Sequence, residues 1–202
     1  MITEFKTIAT EGEGLFKDRG SKFLGFTFHV TNEEEIKVAQ EQLRKDYHDA
    51  RHHCYAYVLG VDRKNYRAND DGEPSHSAGD PILGQLNSNE LTNTLVIVIR
   101  YFGGTKLGVS GLINAYRTAA ELAIQNSRII TEVVKKQLEL SYSYEATSEV
   151  MRVIDDFSIE IVDQQFQEKC LLKGKIRVDK VDQLETKVQL LNDLGAVVSL
   201  KI

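Results

Sequence analysis

The chain has 202 residues, 42% hydrophobic and 27% charged, with a formal net charge of −5. This is the make-up of a soluble globular protein with one large domain or two small ones. The acidic balance excludes bulk, charge-driven nucleic-acid binding and leaves room only for a local contact. The opening MITEFKTIATEGEG lacks the basic and apolar regions of a secretory signal, and the longest strongly apolar run is Leu95–Ile99. Cys54 and Cys170 have no zinc or redox spacing, so the expectation is a cytoplasmic protein with reduced thiols and no membrane association.

In chain order, strands are predicted at Glu4–Thr10 and Lys22–Val30, the second from the alternation of Leu24, Phe26, Phe28 and Val30. Thr31 and Glu34 have capping-box spacing before a helix whose buried stripe is Ile36, Ala39, Leu43 and Tyr47. His53–Val61 reads as a strand, Asn65–Gln85 as a polar loop, Thr94–Phe102 as a buried strand and Leu112–Gln125 as a helix.

Between these last two elements lies a loop with Gly103, Gly104, Gly108 and Gly111. Strand, glycine loop and helix together make the grammar of an anion-binding turn, because glycines admit close backbone approach and a helix begins with unbonded amides. Arg100, Lys106 and Arg117 lie in or beside it, and no carboxylate occurs between Glu90 and Glu121. Neither the Walker nor the dinucleotide glycine pattern is present, and close helix–strand packing would use the same glycines. The candidate ligand or anion site is therefore Arg100, Gly103, Gly104, Lys106, Gly108 and Gly111.

The loop NDDGEPSHSAGDPIL concentrates Asp70, Asp71 and Glu73 with Pro74 and Pro81. Proline stiffens it, so it suits a divalent metal, an acid/base role, an ion pair with Arg100 or Lys106, or simply turn and cap formation. It is expected to border the glycine-loop site with Asp70, Asp71, Glu73 and Ser75, the serine bonding the turn after Pro74, and with His52 as a possible flank. On a strand, His52 and Cys54 share one face and His53 the other, which speaks against three converging metal ligands. No metal, cofactor or catalytic residue is assigned.

Composition changes past the glycine loop. Twelve of fourteen glycines, both prolines and all five histidines precede residue 112. The remainder is regular: strand Gln137–Tyr144, helix Thr147–Phe157, strands Ser158–Phe166 and Lys169–Val178, helix Val181–Leu194 and strand Ala196–Ile202. That order is β-α-β-β-α-β, the ferredoxin-like split arrangement. Two domains, 1–130 and 131–202, are expected in an α+β protein.

The segments SKFLGFTFHV (21–30), DARHHCYAYVLG (49–60), DDGEPSHSAGDPIL (70–83) and VIVIRYFGGTKLGVSGL (96–112) resemble the IMPACT family in its bacterial form. The resemblance runs through His52, Cys54, Tyr55, Asp70–Ser75, Ala78, Gly79, Arg100, Tyr101, Gly103, Gly104, Lys106–Gly108 and Gly111. It departs at His76 and Ser77, where relatives usually carry Gly-Thr, and at Ser110, where glycine is usual. It implies a first domain with the fold of a small-subunit ribosomal protein's second domain, and a second domain like a ferredoxin-like domain of elongation factor G. In eukaryotic relatives the first domain belongs to a translation regulator that restrains an initiation-factor kinase.

The expected function is a non-enzymatic, translation-associated regulator that binds RNA, the ribosome or a translation-related protein through the basic glycine loop. An enzyme acting on a small phosphorylated substrate and a pure protein-interaction module remain as alternatives.

Overall fold

A computed structural model describes residues 1–167 and 169–202. The chain is a mixed α/β protein that divides into two compact units. One is Phe5–Glu132; the other is Val133–Ile202 together with Met1–Glu4.

The Phe5–Glu132 unit is built on a five-stranded antiparallel sheet in the order β2 (Glu13–Asp18), β3 (Ser21–His29), β6 (Thr94–Tyr101), β4 (His52–Leu59), β5 (Asn65–Asn69). Helix α1 (Glu33–Asp46) covers one face, where Ile36 and Leu43 pack with Phe26, Tyr57, Leu95, Ile97 and Ile99. Helices α2 (Gly79–Ser88) and α3 (Gly108–Gln125) cover the other, where Ile82, Leu86, Leu112, Ala115 and Ala119 meet Phe23, Cys54, Ala56, Val96 and Val98. Burial on both faces explains why β6 reads as a continuous apolar run and not as an alternation. A separate two-stranded ribbon joins β1 (Glu4–Thr10) to β7 (Arg128–Val133).

Three expectations change here. The Asn65–Gln85 segment is not all loop: it holds β5, a tight turn and the first two turns of α2. The cap of α1 is one residue later than expected, with the Asn32 side chain accepting from the Glu35 amide and Glu35 accepting from the Thr31 amide. Asn is as good a cap as Thr, and Glu35 stands at the reciprocal position from it. Strand β2 was not anticipated, because its alternation, EGLFKD, is short and interrupted by glycine.

In the other unit, β8 (Lys135–Ser143), α4 (Thr147–Phe157), β9 (Glu160–Gln165), β10 (Lys169–Arg177), α5 (Val181–Asp193) and β11 (Val198–Lys201) follow in the order β-α-β-β-α-β. The antiparallel sheet runs β11-β8-β10-β9. Inward residues Leu138, Leu140, Tyr142, Cys170, Leu172 and Ile176 pack with Val150, Val153, Leu184 and Val188 of the two helices, as a period of two meeting one of 3.6 requires.

Candidate functional site

The acidic loop is held by its own carboxylates. Asp70 Oδ1 accepts from the amides of Ala78 and Gly79 at 2.9 and 2.8 Å, and Oδ2 accepts from the His76 amide at 2.8 Å. It thus does for the start of α2 what a side-chain cap would do, and α2 has no cap of its own. Burial opposes ionisation of Asp70, but these three amides and neighbouring His76 outweigh it and hold the carboxyl below its ordinary pKa. Asp71 accepts from the His53 amide at 2.6 Å and from Arg44 Nη2 at 3.0 Å. The Asp71 carbonyl meets His52 Nδ1 at 2.9 Å, and the Asp70 carbonyl accepts from Cys54 Sγ at 3.0 Å. His52 and Cys54 therefore serve the loop on one face of β4, while His53 is buried on the other. Ser77, not exposed Ser75, makes the side-chain bond to the Pro74 carbonyl, at 2.6 Å.

Glu73 turns inward. Its Oε1 accepts from Arg100 Nη1 at 2.6 Å and from the Tyr116 hydroxyl at 2.8 Å, with both charged side chains under a tenth exposed. The guanidinium lies over the rings of Phe23 and Phe102, 5.5 and 5.6 Å from their centroids. Arg100, expected among the ligand-facing cations, is thus enclosed and neutralised. Removing one member of such a buried pair costs about 3–5 kcal/mol because the other charge is stranded. Burial strongly raises the Cys54 and Tyr116 pKa values, so both stay protonated and the thiol is no nucleophile. The acidic loop does reach the strand before the glycine loop, through Glu73, but as a strut.

The exposed cations come from elsewhere. The β2–β3 hairpin carries Lys17, Arg19 and Lys22, and the glycine loop carries Lys106; all four are exposed and without an ion pair among the described residues. The two loops are clasped together. The Gly103 amide donates to Ser21 Oγ at 3.1 Å, and a Cβ on Gly103 would run into the backbone of Gly20 and Ser21. Beside the hairpin and the end of β6 opens a groove of about 460 Å³ lined by Leu15, Lys17, Lys22, Leu24, Tyr101 and Phe102. Phe102 is 57% exposed, and the Tyr101 hydroxyl donates to Asp49 at 2.6 Å, which pushes its pKa up to about 12.

Gly104 and Gly108 take φ of +87° and +74° with open space above them, and Gly111 sits in the first turn of α3. That helix starts without a side-chain cap and without an acidic residue in its first turn. The three cations of the hairpin were not anticipated; the only sequence signal was their spacing, K-D-R-G-S-K, in a glycine turn. Among the described residues, no three His, Cys, Asp or Glu side chains converge as metal ligands.

The Impact N-terminal domain model matches residues 19–124, which include the acidic loop, the hairpin turn from Arg19 and the glycine loop. IMPACT family member YvyE of Bacillus subtilis is 33% identical over 144 residues, 71% of this chain and 66% of that protein, just under two thirds of its length. An IMPACT family member of Haemophilus influenzae is 30% identical over 73% of this chain and 72% of its own. YigZ of Escherichia coli is 29% identical over 83% of each. A crystal structure described as that of a hypothetical protein superposes with a TM-score of 0.74 at 25% identity, over 98% of this chain and 97% of the other. Among the described residues, no helix is long and apolar enough to cross a membrane.

Proposed function

The chain belongs to the IMPACT family, and from that premise we propose that it is a non-enzymatic, translation-associated regulator of the cytoplasm that contacts single-stranded RNA through its Phe5–Glu132 unit. The observation that carries this reading is the groove beside the β2–β3 hairpin and the end of β6. Lys17 and Lys22 line it with Tyr101 and exposed Phe102, and unpaired Arg19 and Lys106 stand on the hairpin turn and on the glycine loop clasped to it. Cations that track phosphates beside aromatic rings on which bases stack are the two components of sequence-tolerant single-strand binding. The uncapped start of α3 adds free amides for a phosphate. In this net acidic protein the basic patch is local, so binding would depend on it alone.

The ribosomal-protein-like reading of the first unit and the ferredoxin-like reading of the second belong to the same proposal. The second is supported by the strand order β11-β8-β10-β9. Asp70, Asp71 and Glu73 are each bonded in holding the loop, so no acid/base role is assigned to them. Lys22→Ala and Lys106→Ala should each weaken binding of a single-stranded RNA and reduce the salt dependence by a slope of about one. Filter binding at a series of salt concentrations measures both. Unchanged affinity and slope in the double variant would remove the groove from the function.

A further inference from the structure

A second groove, in the unit of Val133–Ile202, has the opposite chemistry. It is about 350 Å³ in volume and lies between the start of α4 and the end of α5, lined by Ser143, Glu145, Ala146, Glu149, Leu191 and Leu194. Its floor is apolar, with Ala146 and Leu191 buried. Around it stand three of the most exposed large hydrophobic side chains of the molecule: Leu194 at 76%, Tyr144 at 68% and Val197 at 66%. The Ser143 amide donates to the Val197 carbonyl at 3.1 Å, which brings the chain at Tyr144 and the chain at Val197 to the same end of the sheet. Exposed apolar side chains gathered about a groove mark an interaction surface.

The charge says what kind. Glu145 and Glu149 line the groove and no basic side chain does. Helix α5 ends here with no basic residue in its last turn, so its partial negative end is uncompensated. Glu149 Oε2 is shut off from solvent and has no hydrogen-bond partner among the described residues. The dipole of α4 favours a carboxylate in the first turn but supplies no donor to that oxygen. An unbonded carboxylate oxygen is costly, and rotation of the Glu149 carboxylate toward an arriving ammonium or guanidinium group would relieve it. The same charges repel phosphate.

We propose that this groove docks a protein segment in which a lysine or arginine lies next to a large apolar side chain. The cation pairs with Glu149 and Glu145, and the apolar side chain covers Leu194 and the floor at Leu191 and Ala146. This surface is separate from the basic groove, and its use does not depend on RNA binding.

The test is an amide-shift titration of the full chain with a short synthetic peptide that alternates leucine with lysine and arginine. A control peptide has glycine in place of leucine. Saturable shifts are expected at Tyr144, Glu149, Leu194 and Gly195, with the control binding about tenfold more weakly. Glu149→Gln and Leu194→Asp should each weaken the peptide about tenfold. Leu194 is exposed, so its variant tests docking without disturbing the fold, and RNA binding should be unchanged in it. Absence of saturation, equal binding of the control peptide, or undiminished binding by both variants would overturn the proposal. So would shifts at the same amides on raising protein concentration alone, which would make a second copy the occupant.

Discussion

At position 53, β4 turns an imidazole inward on the α1 side of the sheet, where it is only 5% exposed and neither ring nitrogen has a hydrogen-bond partner among the described residues. The Tyr47 backbone approaches it without reaching hydrogen-bond geometry. Burial, then the nearby charge of Arg44 and of His52, lowers the His53 pKa, and the opposing influences of Asp71 and the Tyr47 backbone do not restore it. The folded state therefore binds this proton less readily than the unfolded chain. The stability that follows from a neutral His53 is complete above the ordinary value of 6.5 and is lost as pH falls below it. Urea midpoints measured down from neutral pH should decline, and His53→Leu should remove up to one proton's worth of that slope. An unaltered slope in the variant would place the titration elsewhere. The strand alternation of His52, His53 and Cys54 was legible in the sequence. What each imidazole faces was not, because that depends on Asp71, eighteen residues on in the turn after β5, reaching back to the His53 amide.

Among the elements, α2 was illegible and α3 was plain, for one reason. Helix α3 carries its apolar stripe for eighteen residues, whereas α2 opens with Gly79, Asp80 and Pro81 and takes its cap from Asp70, nine residues earlier than its first residue. Local signals at that start spell a turn; a proline in a first helical turn loses nothing, since its amide would have been free there. The glycine loop was legible as a special backbone, but not its purpose. Gly103 serves close approach to the β2–β3 turn, and that turn with its cations lies some eighty residues upstream, in a register that only the β3–β6 pairing fixes. Gly103→Ala should thus part the clasp, costing roughly 1–3 kcal/mol as overpacking against backbone does, and should weaken RNA binding with it. Gly104→Ala meets open space and bears only the left-handed conformation, about 1 kcal/mol. Urea unfolding of the two variants, read alongside RNA affinity, distinguishes them: equal affinities would mean that the clasp does not shape the basic groove.

For the whole molecule, the break in glycine, proline and histidine usage marks where regular structure takes over, yet it says nothing of the first four residues. Met1–Glu4 group with Val133–Ile202 because the extended start of the chain runs past β1: the Val134 amide donates to the Thr3 carbonyl at 2.8 Å, and Glu4 approaches Arg177 at 3.7 Å. Such a short segment has no periodicity from which to read a partner. The six elements of this unit complete a sheet and a core among themselves, with Leu140, Tyr142, Cys170, Leu172 and Leu184 almost wholly enclosed. We expect Val133–Ile202 to fold as an independent domain when expressed alone, with a cooperative thermal transition and mixed helix and strand circular dichroism. A chain of this size buries only a modest core and is marginally stable, and losing one backbone bond and an exposed ion pair with Met1–Glu4 removes about 1 kcal/mol more. The fragment should therefore melt cooperatively but early. A gradual, non-cooperative loss of ellipticity would show instead that the core seen within this unit needs the rest of the chain to form.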